Sequence, residues 1–165
     1  MCITGGAHSL LLKADGTVWG TGSNWAGQLG SISRGGATSF VQVFAEKVIS
    51  VSAGFDHSLA VMQDGSMFGS GRNYNGQLDA SKSNDNRREF TKIISANVHV
   101  TAGGDYYSMI LKKDGTVWGA GYNNKGQLGL SAHQQKTFVE ILDAAVTPLP
   151  VLGTCNEIRG SLVNM

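Results

Sequence analysis

The chain has 165 residues, with 23 glycines, only 2 prolines and a formal charge of +1 from 13 basic and 12 acidic side chains. That balance lacks the broad positive field behind nonspecific nucleic-acid binding, and no run approaches the ~18 apolar residues of a membrane-spanning helix. Much glycine with little proline favours many tight turns over proline-rich disorder.

In chain order, the first clear element is a short aliphatic strand, HSLLLK at 8 to 13, followed across Asp15-Gly16 by TVWGTG at 17 to 22. Asp-Gly between two such runs predicts a tight two-residue hairpin turn with positive φ at both central positions. A glycine-rich segment ending in GQLG (27 to 30) leads to a third strand, SFVQV at 39 to 43, and a fourth, VISVSAG at 48 to 54. The pattern then returns: HSLAVM, Asp64-Gly65, SMFGSG, GQLD and EFTKI, then VHVTAG, YSMILK, Asp114-Gly115, TVWGAG, GQLG and TFVEI. The stretches starting at 15, 64 and 114 are separated by 49 and 50 residues, so the chain is an array of repeated supersecondary units. Four short strands in each fifty residues is the strand count of a propeller blade. The expected repeats are 3–50, 51–99 and 100–143, with a divergent tail at 144–165.

Recurrent positions have separate structural jobs. Trp19, Phe68 and Trp118 are expected to pack between neighbouring units, each followed by a glycine that admits a close neighbour. Asn24, Asn73 and Asn123 are placed to hydrogen-bond their own loop backbone, and Gly27, Gly76 and Gly126 to take positive φ. Gln28, Gln77 and Gln127 are expected to satisfy backbone groups between units, and Leu29, Leu78 and Leu128 to be core. Cys2 reads as a small buried hydrophobe, and Cys155 has no sequence-near partner for a disulfide or a metal.

No catalytic constellation emerges. His8 and His57 share a column that Tyr107 fills in the third repeat, so a hydrogen-bonding role fits the column and proton transfer does not. FDHS at 55 to 58 holds Asp, His and Ser, but adjacent strand residues face opposite sides and cannot form a relay. His99 and His133 lack companions at metal spacing, and the glycine-rich loops lack the lysine and following helix of a phosphate loop. The basic run NRREFTK at 86 to 92 reads as solvated surface. The sequence thus nominates no cofactor, metal or enzyme chemistry.

Function is left to surfaces, and the repeats vary at a few loop columns. Ser23, Arg72 and Tyr122 occupy one, Trp25, Tyr74 and Asn124 another, and Phe55, Asp56, Asp105 and Tyr106 a third. Aromatic and arginine side chains on loops are favoured anchors for protein partners, so Trp25, Phe55, Arg72, Tyr74, Tyr106 and Tyr122 form the candidate protein-binding set.

The order Ala-Gly or Gly-Gly, His-Ser, Asp-Gly, aromatic-Gly and Gly-x-Asn-x-x-Gly-Gln-Leu-Gly resembles the regulator of chromosome condensation repeat over residues 3 to about 143. The resemblance implies an all-β fold, a β-propeller whose usual ring has seven blades, of which this chain holds about three. An incomplete arc leaves two blade faces in need of cover. Three explanations stand: the chain is part of a longer seven-bladed propeller, copies complete a ring, or another protein caps the arc. The segment 144–153 is a candidate to cover the open end or add a strand to another copy.

Members of the family act as nucleotide-exchange factors for a small GTPase, chromatin binders, a plant ultraviolet-B photoreceptor and a bacterial β-lactamase inhibitor, so fold alone does not choose. No long inserted wedge and no tryptophan cluster beside arginines is evident. The expectation is a non-catalytic protein–protein interaction module, a scaffold or accessory subunit, with a guanine-nucleotide exchange factor-like regulator of a small GTPase as the alternative. Neither a signal peptide nor any other address is visible; the chain reads as soluble with its compartment open.

Overall fold

The computed structural model describes residues 2–30, 34–45, 47–81 and 85–143. The readings placed on the Cys2 side chain, on Cys155 and on segment 144–153 lie outside what is described. Among the described residues there are twelve strands and no helix. The first sheet comprises β1 (Cys2–Gly5), β2 (His8–Leu12), β3 (Val18–Gly22) and β4 (Ala37–Phe44). The second comprises β5 (Val48–Ala53), β6 (His57–Met62), β7 (Met67–Gly71) and β8 (Arg87–Ile94), and the third β9 (Val98–Gly103), β10 (Tyr107–Lys112), β11 (Val117–Tyr122) and β12 (Gln134–Leu142). Each is a four-stranded antiparallel meander in chain order.

Two strands fall in a different place from the sequence expectation. VISVSAG opens the second sheet instead of closing the first, because Val51 pairs with Ala60 of β6, and the expected cut at 50/51 therefore passes through β5. VHVTAG likewise opens the third, pairing with β10.

The hairpin turns also depart from expectation. In each, the residue before the loop closes a three-residue turn, as in Lys13 N–H to Thr17 O and Gly16 N–H to Lys13 O, both 3.0 Å. Gly16, Gly65 and Gly115 alone take positive φ (83°, 85° and 88°), so the loop is a type I turn followed by a left-handed glycine. The preceding aspartate stays in an ordinary conformation because its carboxylate is used: Asp15 Oδ1 accepts from Thr17 Oγ1 (2.7 Å) and Thr17 N–H (2.9 Å). Ser66 serves Asp64 and Thr116 serves Asp114 in the same way. The hydroxyl first, then the backbone N–H, holds each of these exposed carboxyls below its usual pKa.

Two apolar layers lie between the sheets. The first joins Leu10, Val18 and Leu29 to Val48, Val51, Ala60 and Met62, with Phe44, Phe68 and Phe90 at its edge. The second joins Leu59, Val61, Met67 and Leu78 to Val98 and Ile110, with Trp118 and Phe138 beside it. The first and third sheets therefore each give one face to the middle sheet. The middle sheet is covered on both faces, and all six residues of β6 are buried. Gly20, Gly69 and Gly119 make these layers thin. A Cβ on Gly20 would lie 2.6 Å from Leu29 Cδ2, so the neighbour that needs the space is the leucine of the repeat's own GQL segment.

Candidate functional site

Below the loops, the polar residues of each repeat stitch one blade to the next. His8 Nε2 lies 2.7 Å from Ser58 Oγ, and His57 Nε2 lies 2.9 Å from Ser108 Oγ, all four side chains being buried. Ser58 in turn donates to the backbone carbonyl of Gln28 at 2.6 Å. Burial lowers the His8 pKa to about 4, with a backbone hydrogen bond to Phe55 partly opposing it. Burial followed by the nearby His8 lowers that of His57 to about 3. Both rings are therefore neutral hydrogen-bonding groups at pH 7.

Each GQL loop is built from within. Asn24 Oδ1 accepts from Leu29 N–H at 2.8 Å, and Asn73 and Asn123 do the same for Leu78 and Leu128. The expected work of the glutamines between blades is corrected here. Gln28 Oε1 accepts from Ala26 N–H, Gln77 Oε1 from Asn75 N–H and Gln127 Oε1 from Lys125 N–H, two residues back in the same loop. The compact loop places the amide nearer its own backbone than the neighbour's. The aromatic column divides: Phe68 and Trp118 lie against the inter-blade layers. Trp19, with its indole N–H on Thr17 Oγ1 and Lys13 Nζ 3.7 Å from its ring centroid, occupies the outer face of the first sheet.

Above this frame, the loops after β1, β5 and β9 and those after β3, β7 and β11 meet at one end of the molecule. All six candidate side chains come together there. Arg72 stands at the centre, its guanidinium carbon 5.8 Å from the Trp25 ring, 5.5 Å from Tyr74 and 5.2 Å from Tyr106. Phe55 packs on Tyr106 at 5.9 Å and Tyr106 on Tyr122 at 6.5 Å, continuing the surface to the third blade. Trp25, Phe55 and Tyr74 are 49%, 45% and 50% exposed, unusual for large rings that also have neighbours.

The residue that organises the patch was passed over in choosing candidates. Asp56 is only 1% exposed, yet Oδ1 accepts from the Trp25 indole at 3.2 Å and Oδ2 pairs with Arg72 at 3.5 Å. A buried carboxylate thus orients one ring and one cation from different blades. Its signal lay in FDHS, where it stands beside Phe55 in one of the varying loop columns. Arg88 adds a further tie, donating to the Trp25 carbonyl at 3.2 Å.

Residues 48–77 and 98–127 match the family model of the regulator of chromosome condensation (RCC1) repeat. Two stretches thus match the RCC1 repeat, one in the second blade and one in the third. Their blade geometry also matches solved RCC1-type propellers. Prp20p from Saccharomyces cerevisiae, in a structure reported with its binding to Gsp1p and histones, aligns over 87% of this chain and 38% of its own, at 21% identity and TM-score 0.75. Yeast RCC1 (Prp20) bound to Kap60 aligns over 84% and 36%, at 19% and 0.67. Human WBSCR16 aligns over 81% and 37%, at 24% and 0.69. The chain thus spans under two fifths of the length of each. Among curated proteins, none matches it by sequence. Among the described residues the fold is all-β, an incomplete propeller arc of three four-stranded blades. Among the described residues, no helix is long and apolar enough to cross a membrane, and no three His, Cys, Asp or Glu residues gather as a metal site.

Proposed function

We propose that this chain is a non-catalytic protein-binding module, a scaffold or accessory subunit, and that it binds through the loop surface centred on Arg72. The observation that carries this reading is the meeting of six side chains from all three blades, with Arg72 among three of the rings and anchored by a buried carboxylate. Exposed Trp, Tyr and Arg that neighbours already hold in place lose little freedom on binding, and such residues supply most interface energy. The histidines, held neutral between blades, are spent on structure.

The test is capture of a partner by the purified chain and by Arg72→Ala and Tyr74→Ala variants, with Lys113→Ala on an exposed hairpin as the control. Loss of a partner held in fixed ratio by the first two, and retention by the control, is the expected result. Equal capture by all four proteins would remove the patch as the binding surface. Acceleration of nucleotide release from a small GTPase would replace a scaffold with an exchange regulator.

A further inference from the structure

What solvent meets at the centre of the loop surface is a cation. Arg72 follows β7 of the middle blade, so its surroundings are set by a blade on either side. Its side chain is 28% exposed, while Asp56, the carboxylate that balances it, is buried. Asp56 engages the guanidinium through Nη1 alone, at 3.5 Å, which is long for a charge-assisted hydrogen bond. Among the described residues this planar fork of donors makes no other hydrogen bond, and its Nε is buried without a partner. The root of the side chain is fixed separately, by the Arg72 backbone N–H donating to the Asp56 carbonyl at 2.8 Å.

The rings around that cation decide what can approach it. Trp25, Tyr74 and Tyr106 stand 5.2 to 5.8 Å from the guanidinium carbon. A cationic ligand is disfavoured, because the ring faces that would hold an ammonium group already hold Arg72. An anion is favoured, and the unused donors of the fork match a carboxylate in two-point geometry. A doubly charged phosphate fits less well. Asp56 already cancels part of the one guanidinium, the exposed Asp105 stands next to Tyr106, and Arg88 is engaged on the Trp25 carbonyl. The exposed rings of Trp25, Tyr74 and Phe55 leave apolar area beside the anion position.

We propose that this surface reads an acidic peptide segment of its partner. A carboxylate side chain of the peptide takes the free donors of Arg72, and an apolar residue next to it packs on Trp25, Tyr74 or Phe55. Recognition of an acidic motif by a positioned arginine gives specificity, and the rings add buried area. The inference rests on the loop surface as the protein-binding site, and adds what the partner must display there.

Fluorescence anisotropy with a panel of short labelled peptides tests it, each carrying a central glutamate, glutamine, phosphoserine or lysine flanked by leucine or phenylalanine. The glutamate peptides are expected to bind the purified chain about tenfold or more tightly than their glutamine and lysine counterparts. That preference should shrink as salt rises, and phosphoserine should bind no better than glutamate. These comparisons use the unaltered chain, so they do not depend on how a variant folds. Arg72→Ala should bring glutamate and glutamine peptides to parity. Arg72→Lys should keep a reduced preference, because the charge remains and the fork is lost, and Lys113→Ala should change nothing. Equal binding of glutamate and glutamine peptides, tighter binding of phosphoserine, or no peptide bound would overturn the acidic-peptide assignment. The loop surface itself would survive those results if Arg72→Ala and Tyr74→Ala still lose the captured partner, and would fall only if capture is indifferent to both.

Discussion

Arg72 and Asp56 illustrate how a surface charge is kept useful by being partly spent. The pair lies at 3.5 Å with one member buried, so the arginine is held among three rings. Asp56→Ala would leave Trp25 and Arg72 without their shared acceptor, at a cost of about 1–3 kcal/mol, measurable by urea denaturation. Asp56→Asn keeps an acceptor for the indole and should cost less. At the same scale, the two histidines make stability depend on pH. Unfolded, each takes up a proton near pH 6.5; folded, His8 resists until about 4 and His57 until about 3. Their contribution is therefore full above about pH 6.5 and declines as pH falls from there towards 4 and 3, by on the order of a few kcal/mol. Denaturation midpoints at pH 7 and pH 4.5 would show the loss. His57→Tyr, which installs the third repeat's own residue, should flatten the dependence.

At the scale of the element, the Asp-Gly hairpin shows a motif read correctly as a turn and incorrectly as to type. The dipeptide is compatible with two loop lengths, and the hydroxyl two residues after the aspartate tips the choice by giving its carboxylate a local partner. Only the glycine needs the left-handed conformation, so Gly65→Ala at φ 85° should cost about 1–2 kcal/mol and lower the melting temperature. Asp64→Asn, which preserves an acceptor, should cost less. The strand whose sheet was misassigned has a related cause. VISVSAG is an ordinary aliphatic run, and nothing within it says whether it pairs with the strand before or the strand after.

For the whole molecule, stability in a repeat array is the sum of blades and the layers between them. The middle blade shares two layers and each end blade one, which places the highest protection in β6. Hydrogen exchange should accordingly be slowest at the amides of residues 57–62, and slower there than at those of β2 or β10. Equal protection across the three would contradict the arc as the folded unit and would itself be informative about the ends. Leu78→Ala, in the second layer, should cost about 2–5 kcal/mol as a cavity between blades. Calorimetry would show whether the loss is shared by the whole array or confined to one end.

What the sequence determined by itself was whatever is local or recurs at a fixed spacing. The repeat spacing, the turn glycines and the aliphatic runs carried the all-β blade and its strand count, because each is set by backbone sterics within a few residues. The loop columns that hold the six proposed binding residues could be picked out as well, since columns that vary within a fixed frame stand out against it. Only the tertiary structure decided that these six meet, that Asp56 organises them, and that Gln28 serves its own loop while its carbonyl serves the next blade. Those facts depend on contacts between residues tens of positions apart, whose distances follow from how blades pack. They are invisible to any pattern read along one strand.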